Sequence, residues 1–182
     1  MAKKEKKERR VSPIGDAKWA HVQTPKAAYQ GIGDAKYQID VVFDAGGEWD
    51  ELCREIATEI KSNGYKNSPL KKEKNKDDDP TGRYFITFKT GEQYPPKIFD
   101  KHGQIIPQEV LVGNGSKVRV AFTMASYDGF GGGVTMYLGA VQVIELVEYQ
   151  GGSASDYGFE VEEGIADPFT KSNNDDSEDI PF

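Results

Sequence analysis

Cysteine and histidine are nearly missing from this chain of 182 residues, which has one cysteine, Cys53, and two histidines, His21 and His102. A single thiol cannot close an internal disulfide, and so few soft ligands do not make a zinc set. Long apolar runs are also lacking, and no stretch approaches the ~18 residues of a membrane helix. The start, MAKKEKKERR, has the charge of a signal peptide without the apolar run that should follow it. The expectation is a cytoplasmic protein with no membrane partner, structural metal or cofactor.

Charge is present in quantity but unevenly placed. Lys and Arg number 23 and Asp and Glu 30, a net −7. From Asp156 onward nine acids stand against the single base Lys171, so this segment carries −8 and residues 1–155 carry +1. The first ten residues hold six bases and two acids. An acidic total thus divides into a basic arm, a near-neutral body and an acidic tail. That asymmetry points to nucleic acid with a competing tail.

Strand periodicity dominates the body. Tyr37, Ile39, Val41 and Phe43 alternate through Lys36–Asp44, and Val118, Val120, Phe122 and Met124 alternate through Lys117–Tyr127. In Arg83–Lys89, Tyr84, Ile86 and Phe88 face one way. Val134–Tyr149 is apolar on both faces around Gly139, as a long strand bent at a glycine would be. One helix is expected over Glu48–Asn63, where Trp49, Leu52, Cys53, Ile56 and Ile60 recur at helical spacing before the Asn63-Gly64 stop.

Between these elements, Lys71–Asp79 has only charged and polar residues and reads as a mobile loop closed by Pro80-Thr81-Gly82. Residues around Lys97–Ile106 read as a hairpin turning at Asp100-Lys101-His102-Gly103, and Gly129-Phe130-Gly131-Gly132-Gly133 as a mobile hairpin connector. The fold class is mainly β, an OB-fold-like small barrel with one principal α-helix. The expected divisions are a flexible basic arm over 1–12, one domain over 13–150, and an acidic tail over 151–182. The tail has too few apolar residues to offset its ordering entropy and is expected to be disordered.

The tail closes in Asp175-Asp176-Ser177-Glu178-Asp179-Ile180-Pro181-Phe182. This acidic run ending in Ile-Pro-Phe resembles the tip of bacterial single-stranded-DNA-binding proteins. Phe182 offers a ring to a pocket, while its carboxylate and Asp175, Asp176, Glu178 and Asp179 suit surrounding Lys and Arg. The body segments DAKYQIDVVFD and GSKVRVAFTMASYDGFGGGVTMYLGAVQVIEL, with the helix between, are similar to a bacteriophage family of single-stranded-DNA-binding proteins over roughly residues 33–148.

The resemblance implies an OB-fold, single-stranded DNA as partner, and work in phage DNA replication, recombination and repair within a bacterial host cell. It further implies recruitment of partner enzymes through Ile180, Pro181 and Phe182. One departure is visible. The usual OB helix lies between the third and fourth strands, whereas here it follows an early one. Either a strand precedes Lys36, around Lys18–Gln23, or the barrel is elaborated.

Sequence-independent single-strand binding needs cations for phosphates and aromatic platforms for bases. Arg83, Phe85 and Lys89 share the outward face of one strand, and Lys117, Arg119 and Tyr127 that of another. Phe85 either stacks on a base or packs under a loop or the helix, and Trp19 either stacks or seals one end of the barrel. Lys36 and Lys97 are candidates to extend a phosphate track, and Phe130 to fold over a bound strand. Trp49 and Tyr37 lie on apolar faces and belong to the core.

Catalysis is not expected. The GFGGG connector lacks the Lys-Ser/Thr of a P-loop, Asp77-Asp78-Asp79 sits on no rigid scaffold for metal, and neither histidine has a triad partner at recognisable spacing. Two other functions fit the composition: duplex binding or strand annealing through the arm Lys3–Arg10, and an adaptor binding only proteins. A tail of about 30 residues spans roughly 30 Å, against a domain radius of about 15 Å, so it reaches the protein's own groove.

Overall fold

The structure, a computed structural model, describes residues 8–148. The acidic tail, with Asp175, Asp176, Glu178, Asp179, Ile180, Pro181 and Phe182, lies outside the described residues, as does the arm as far as residue 7. Eight strands surround one helix. They are β1 (Arg10–Val11), β2 (Gly15–Lys26), β3 (Lys36–Asp44), β4 (Leu70–Lys74), β5 (Pro80–Gly91), β6 (Lys97–Asp100), β7 (Lys117–Tyr127) and β8 (Gly133–Glu145), with α1 (Trp49–Asn63) between β3 and β4.

Five strands close a ring in the order β7-β2-β3-β5-β8 and back to β7. All its pairings are antiparallel except β5 with β8. This is the OB-fold-like arrangement expected, and closing the ring hides its strand edges. β1 adds to β7, β4 to β5 and β6 to β8.

Alternation builds the core. Ile39, Val41, Ile86, Phe88, Val118, Val120, Met136 and Val141 are fully buried inside the ring, and the Phe88 and Phe122 rings meet at 5.4 Å. The helix contributes Trp49, Leu52 and Ile56 to the same cluster. Trp49 stacks flat on Phe43, centroids 4.1 Å apart, and its indole N–H donates to the Ile14 carbonyl at 3.1 Å. Gly64, in the left-handed region, ends the helix with its N–H on the carbonyls of Ile60 and Lys61.

The strand around Lys18–Gln23 exists as β2, the first member of the ring. It escapes a period-two reading because of a bulge: Lys18 faces Asp40 and His21 faces Gln38, so β2 carries one residue more than β3. Buried positions therefore shift phase between Ala17 and Val22. The helix still follows the second ring strand, so the fold also departs from the usual OB order. In β8 the expected bend at Gly139 is likewise a bulge. Leu138 and Ala140 pair with the adjacent residues Phe122 and Ala121, leaving Gly139 as the extra residue.

Three loop expectations change. Lys71–Asp79 is not a mobile loop: its first part is strand β4, which pairs with β5 across a turn braced by Asn75. Its charged composition hid the strand because both outer faces and the edge meet water. The GFGGG connector is tied down instead of mobile. Backbone N–H groups of Lys66 and Asn67 donate to Gly131 and Gly132 carbonyls, and the Asn67 side-chain amide donates to those of Phe130 and Gly132. The solvated arm ends early, since Arg10–Val11 pair with Phe122 and Ala121. The hairpin near Lys97–Ile106 forms, with Phe99 opposite Ile105.

Candidate nucleic-acid interface

Four adjacent strands, β2, β3, β5 and β4, turn one continuous face away from the core. The register sets its rows: Asp16–Val42–Phe85–Lys71, then Lys18–Asp40–Thr87, then His21–Gln38–Lys89. Two cavities open on this face. One, of about 540 Å³, is lined by Lys18, Trp19, Asp40, Phe85 and residues Lys71, Lys72, Glu73 and Lys74 of β4. The other, of about 340 Å³, is lined by Lys66, Lys71, Thr87, Lys89 and Tyr127, with Asn67, Ser68 and Pro69 along its rim. Lys71 belongs to both, so the two form one track.

Aromatic side chains punctuate the track. Trp19 sits in the β2 bulge with φ 50°, a conformation unusual for a bulky residue, and its backbone N–H is held by the Asn114 side-chain oxygen at 2.9 Å. Its indole is 57% exposed, so it does not seal the ring. Phe85 is half-buried among charged stems and lies outside the core cluster. Tyr127 lines the second cavity, and Gly133 has no room for a side chain because the Tyr127 hydroxyl stands 2.6 Å from where its Cβ would be. Phe130, fully exposed at the tip of the β7–β8 loop, and Tyr29, 83% exposed in the β2–β3 loop, extend beyond the strands.

The electrostatics divide the face into two ends. Near Asp44 and Arg83 the cations are already paired. Arg83 binds Asp16 at 2.7 Å and Asp44 at 3.2 Å, and Lys117 also binds Asp16. Burial pushes the Asp16 carboxyl up, but the hydrogen bonds from Lys117 and Arg83 outweigh this and hold it below the ordinary range. The bond to Asp16 raises Arg83 in turn.

Toward Lys36 the balance reverses. Lys36, Lys66, Lys71 and Lys89 make no ion pair among the described residues. Desolvation, with Lys36 and Lys71 nearby, holds the Lys89 ammonium below its usual range. Such a cluster is stabilised by an anion, and phosphate is one that suits it. Asp40 lies on the floor between the ends. Burial raises its carboxyl against the pull of the Thr87 hydroxyl, which donates to it at 2.7 Å.

Of the residues singled out in the sequence, Trp19, Phe85, Lys89 and Tyr127 line the track, and Lys36 adjoins it. Arg83 and Lys117 share its outer face but are engaged by carboxylates. Arg119 stands elsewhere, in a separate cavity with Val11, Phe99 and Gln142. Lys97, on β6, pairs alongside Ala140 of β8 and is not part of the track. The sequence reading missed Lys18, Lys66, Lys71 and Tyr29. Lys18 and Lys71 were hidden with their strands, whereas Tyr29, an aromatic among Ala, Gln and Gly, carried a legible signal. Among the described residues no group of His, Cys, Asp and Glu is arranged to hold a metal.

Solved structures share this architecture. The chain superposes on gp2.5, a single-stranded DNA-binding protein encoded by bacteriophage T7, with a TM-score of 0.61 and 20% identity, covering 88% of this chain and 99% of that one. It also superposes on the single-stranded DNA-binding protein of bacteriophage Enc34 in complex with ssDNA. There the TM-score is 0.59 and the identity 16%, over 77% of this chain and 88% of that one. No family model matches the chain, and no curated protein does. The fold is that of bacteriophage single-stranded-DNA-binding proteins.

Proposed function

We propose that this protein binds single-stranded DNA without sequence preference, along the β2–β3–β5–β4 face. The observation that carries this reading is the cluster of Lys36, Lys66, Lys71 and Lys89 beside Tyr127, Phe85 and Trp19. Lysines without carboxylate partners attract a phosphodiester backbone. Rings at the track accept unstacked bases, with stacking worth roughly 1–3 kcal/mol each. Duplex bases are already stacked and cannot reach those rings, so single strands are preferred and duplex DNA binds more weakly. That an ssDNA complex is known for a protein of this fold supports the reading.

Coating exposed strands in this way suits phage DNA replication, recombination and repair inside a bacterial cell. The acidic tail adds regulation: its eight net negative charges compete with DNA for the lysine track. Once a strand displaces it, Phe182 and the adjacent acids become available to recruit replication and recombination enzymes. The work is binding; no catalytic step is assigned.

The test is fluorescence anisotropy of labelled oligothymidine and an equal-length mixed-sequence duplex, using full-length protein and a truncation after Gly152 at two salt concentrations. Preference for the single strand in both forms, tightened by truncation most strongly at low salt, is the expected result. Equal affinity for duplex replaces this reading with annealing. Binding to neither leaves a protein-only adaptor.

A further inference from the structure

One ion pair on the candidate face lies across the path of the strand. Lys18 of β2 extends its Nζ to Oε1 of Glu73 on β4, 3.2 Å away, although β3 and β5 stand between those strands. The Thr81 hydroxyl donates to the other Glu73 oxygen at 2.8 Å. Both partners line the same cavity as Trp19, Asp40 and Phe85.

Beneath the pair the sheet is covered. Val42 points outward, opposite Asp16 and Phe85, yet only 2% of it is exposed, and it is absent from the core cluster. Outer-face side chains therefore bury it. Glu73 is itself poorly exposed, its side chain at 14%. Neighbouring Trp19, strained in the bulge, has the Lys18 ammonium 6.0 Å from its ring centroid. Charges facing the pair include Asp40, Lys71, Lys72 and Lys74 around the cavity and Arg83 on β5.

We propose that Glu73 is a built-in stand-in for a phosphate. In the unbound protein its carboxylate holds Lys18 as a strap over Val42 and Phe85, and an incoming strand exchanges its phosphate for Glu73. The swap releases Lys18 to the DNA backbone and uncovers Phe85 and Trp19 for bases. Glu73 thereby selects against ligands that bring a charge but no base to stack, because they must break the ion pair without the compensating contact. This rests on the proposed binding of single-stranded DNA at this face.

The experiment is a salt series of oligothymidine titrations with wild type, Glu73→Gln, Glu73→Gln/Lys18→Ala and Asp77→Asn. Asp77, in the same hairpin, removes an equal charge without touching the pair. Glu73→Gln is expected to tighten binding roughly three- to tenfold and to steepen the log–log salt slope by about 0.7, one added phosphate. Adding Lys18→Ala should abolish both gains, while Asp77→Asn leaves the slope at the wild-type value. An unchanged or weakened Glu73→Gln, a gain that survives Lys18→Ala, or an equal gain in Asp77→Asn overturns the proposal. Failure of wild type to bind defeats the functional reading instead. Urea midpoints of all four proteins separate a mere loss of hairpin anchoring, which would lower the midpoint without altering the slope.

Discussion

Lys71 is where the two cavities meet, and its removal gives the most quantitative test of the track. It pairs opposite Phe85 at the register of the outer face and has no carboxylate partner among the described residues. If it meets one phosphate, Lys71→Ala reduces the magnitude of the single-strand log–log salt slope by about 0.7. Between 50 and 200 mM salt the wild-type advantage then shrinks by roughly 2.6-fold, because that contact's counterion release is worth less as salt rises. The variant keeps its fold, since Lys71 is exposed and buries nothing in the core. Anisotropy of labelled oligothymidine at four salt concentrations measures the slope, with Arg119→Ala, in its separate cavity, as a variant expected to match wild type. A Lys71→Ala slope equal to wild type, or an Arg119→Ala slope flattened as much, refutes the assignment of the phosphate path to this face.

Other expectations concern the fold and the floor of the site. Trp49→Ala removes the ring stacked on Phe43 and the hydrogen bond to Ile14, and should lower stability by about 3–5 kcal/mol in urea unfolding. Gly133→Ala would bring a Cβ to 2.6 Å from the Tyr127 hydroxyl and 2.7 Å from the Asn67 carbonyl, costing about 1–3 kcal/mol and weakening oligothymidine binding by shifting Tyr127. Asp40→Asn should stabilise the protein at neutral pH. The raised native carboxyl means that ionised Asp40 disfavours the folded state, and this penalty disappears as pH falls through its native pKa. The gap between variant and wild-type urea midpoints should therefore be present at neutral pH and close in acid. A gap that widens in acid contradicts the assignment.

Regular alternation made much of the ring readable. β3 and β7 carry an apolar residue at every inward position, so their bounds follow from period two alone, and α1 follows from its stripe and the Gly64 stop. Reading failed where another influence interrupted the period. The Trp19 bulge flips the phase of β2, and β4 is an edge strand whose lysines have no apolar face to announce it. At the site, Phe85 and Lys89 were recognisable as an aromatic and a cation on one outward face, but Lys18 and Lys71 were concealed with those two strands.

By itself the sequence determined the fold class, the helix, the division of charge between body and tail, and the pairing of aromatics with cations on outward faces. These follow from composition and from side-chain alternation along a few residues. Only the tertiary structure decided which cations are spoken for. Asp16 meets Lys117 and Arg83, and Lys18 meets Glu73, because ring closure brings together strands distant along the chain. Whether a lysine is left for phosphate depends on the carboxylate that the fold sets beside it, and local sequence does not encode that neighbour.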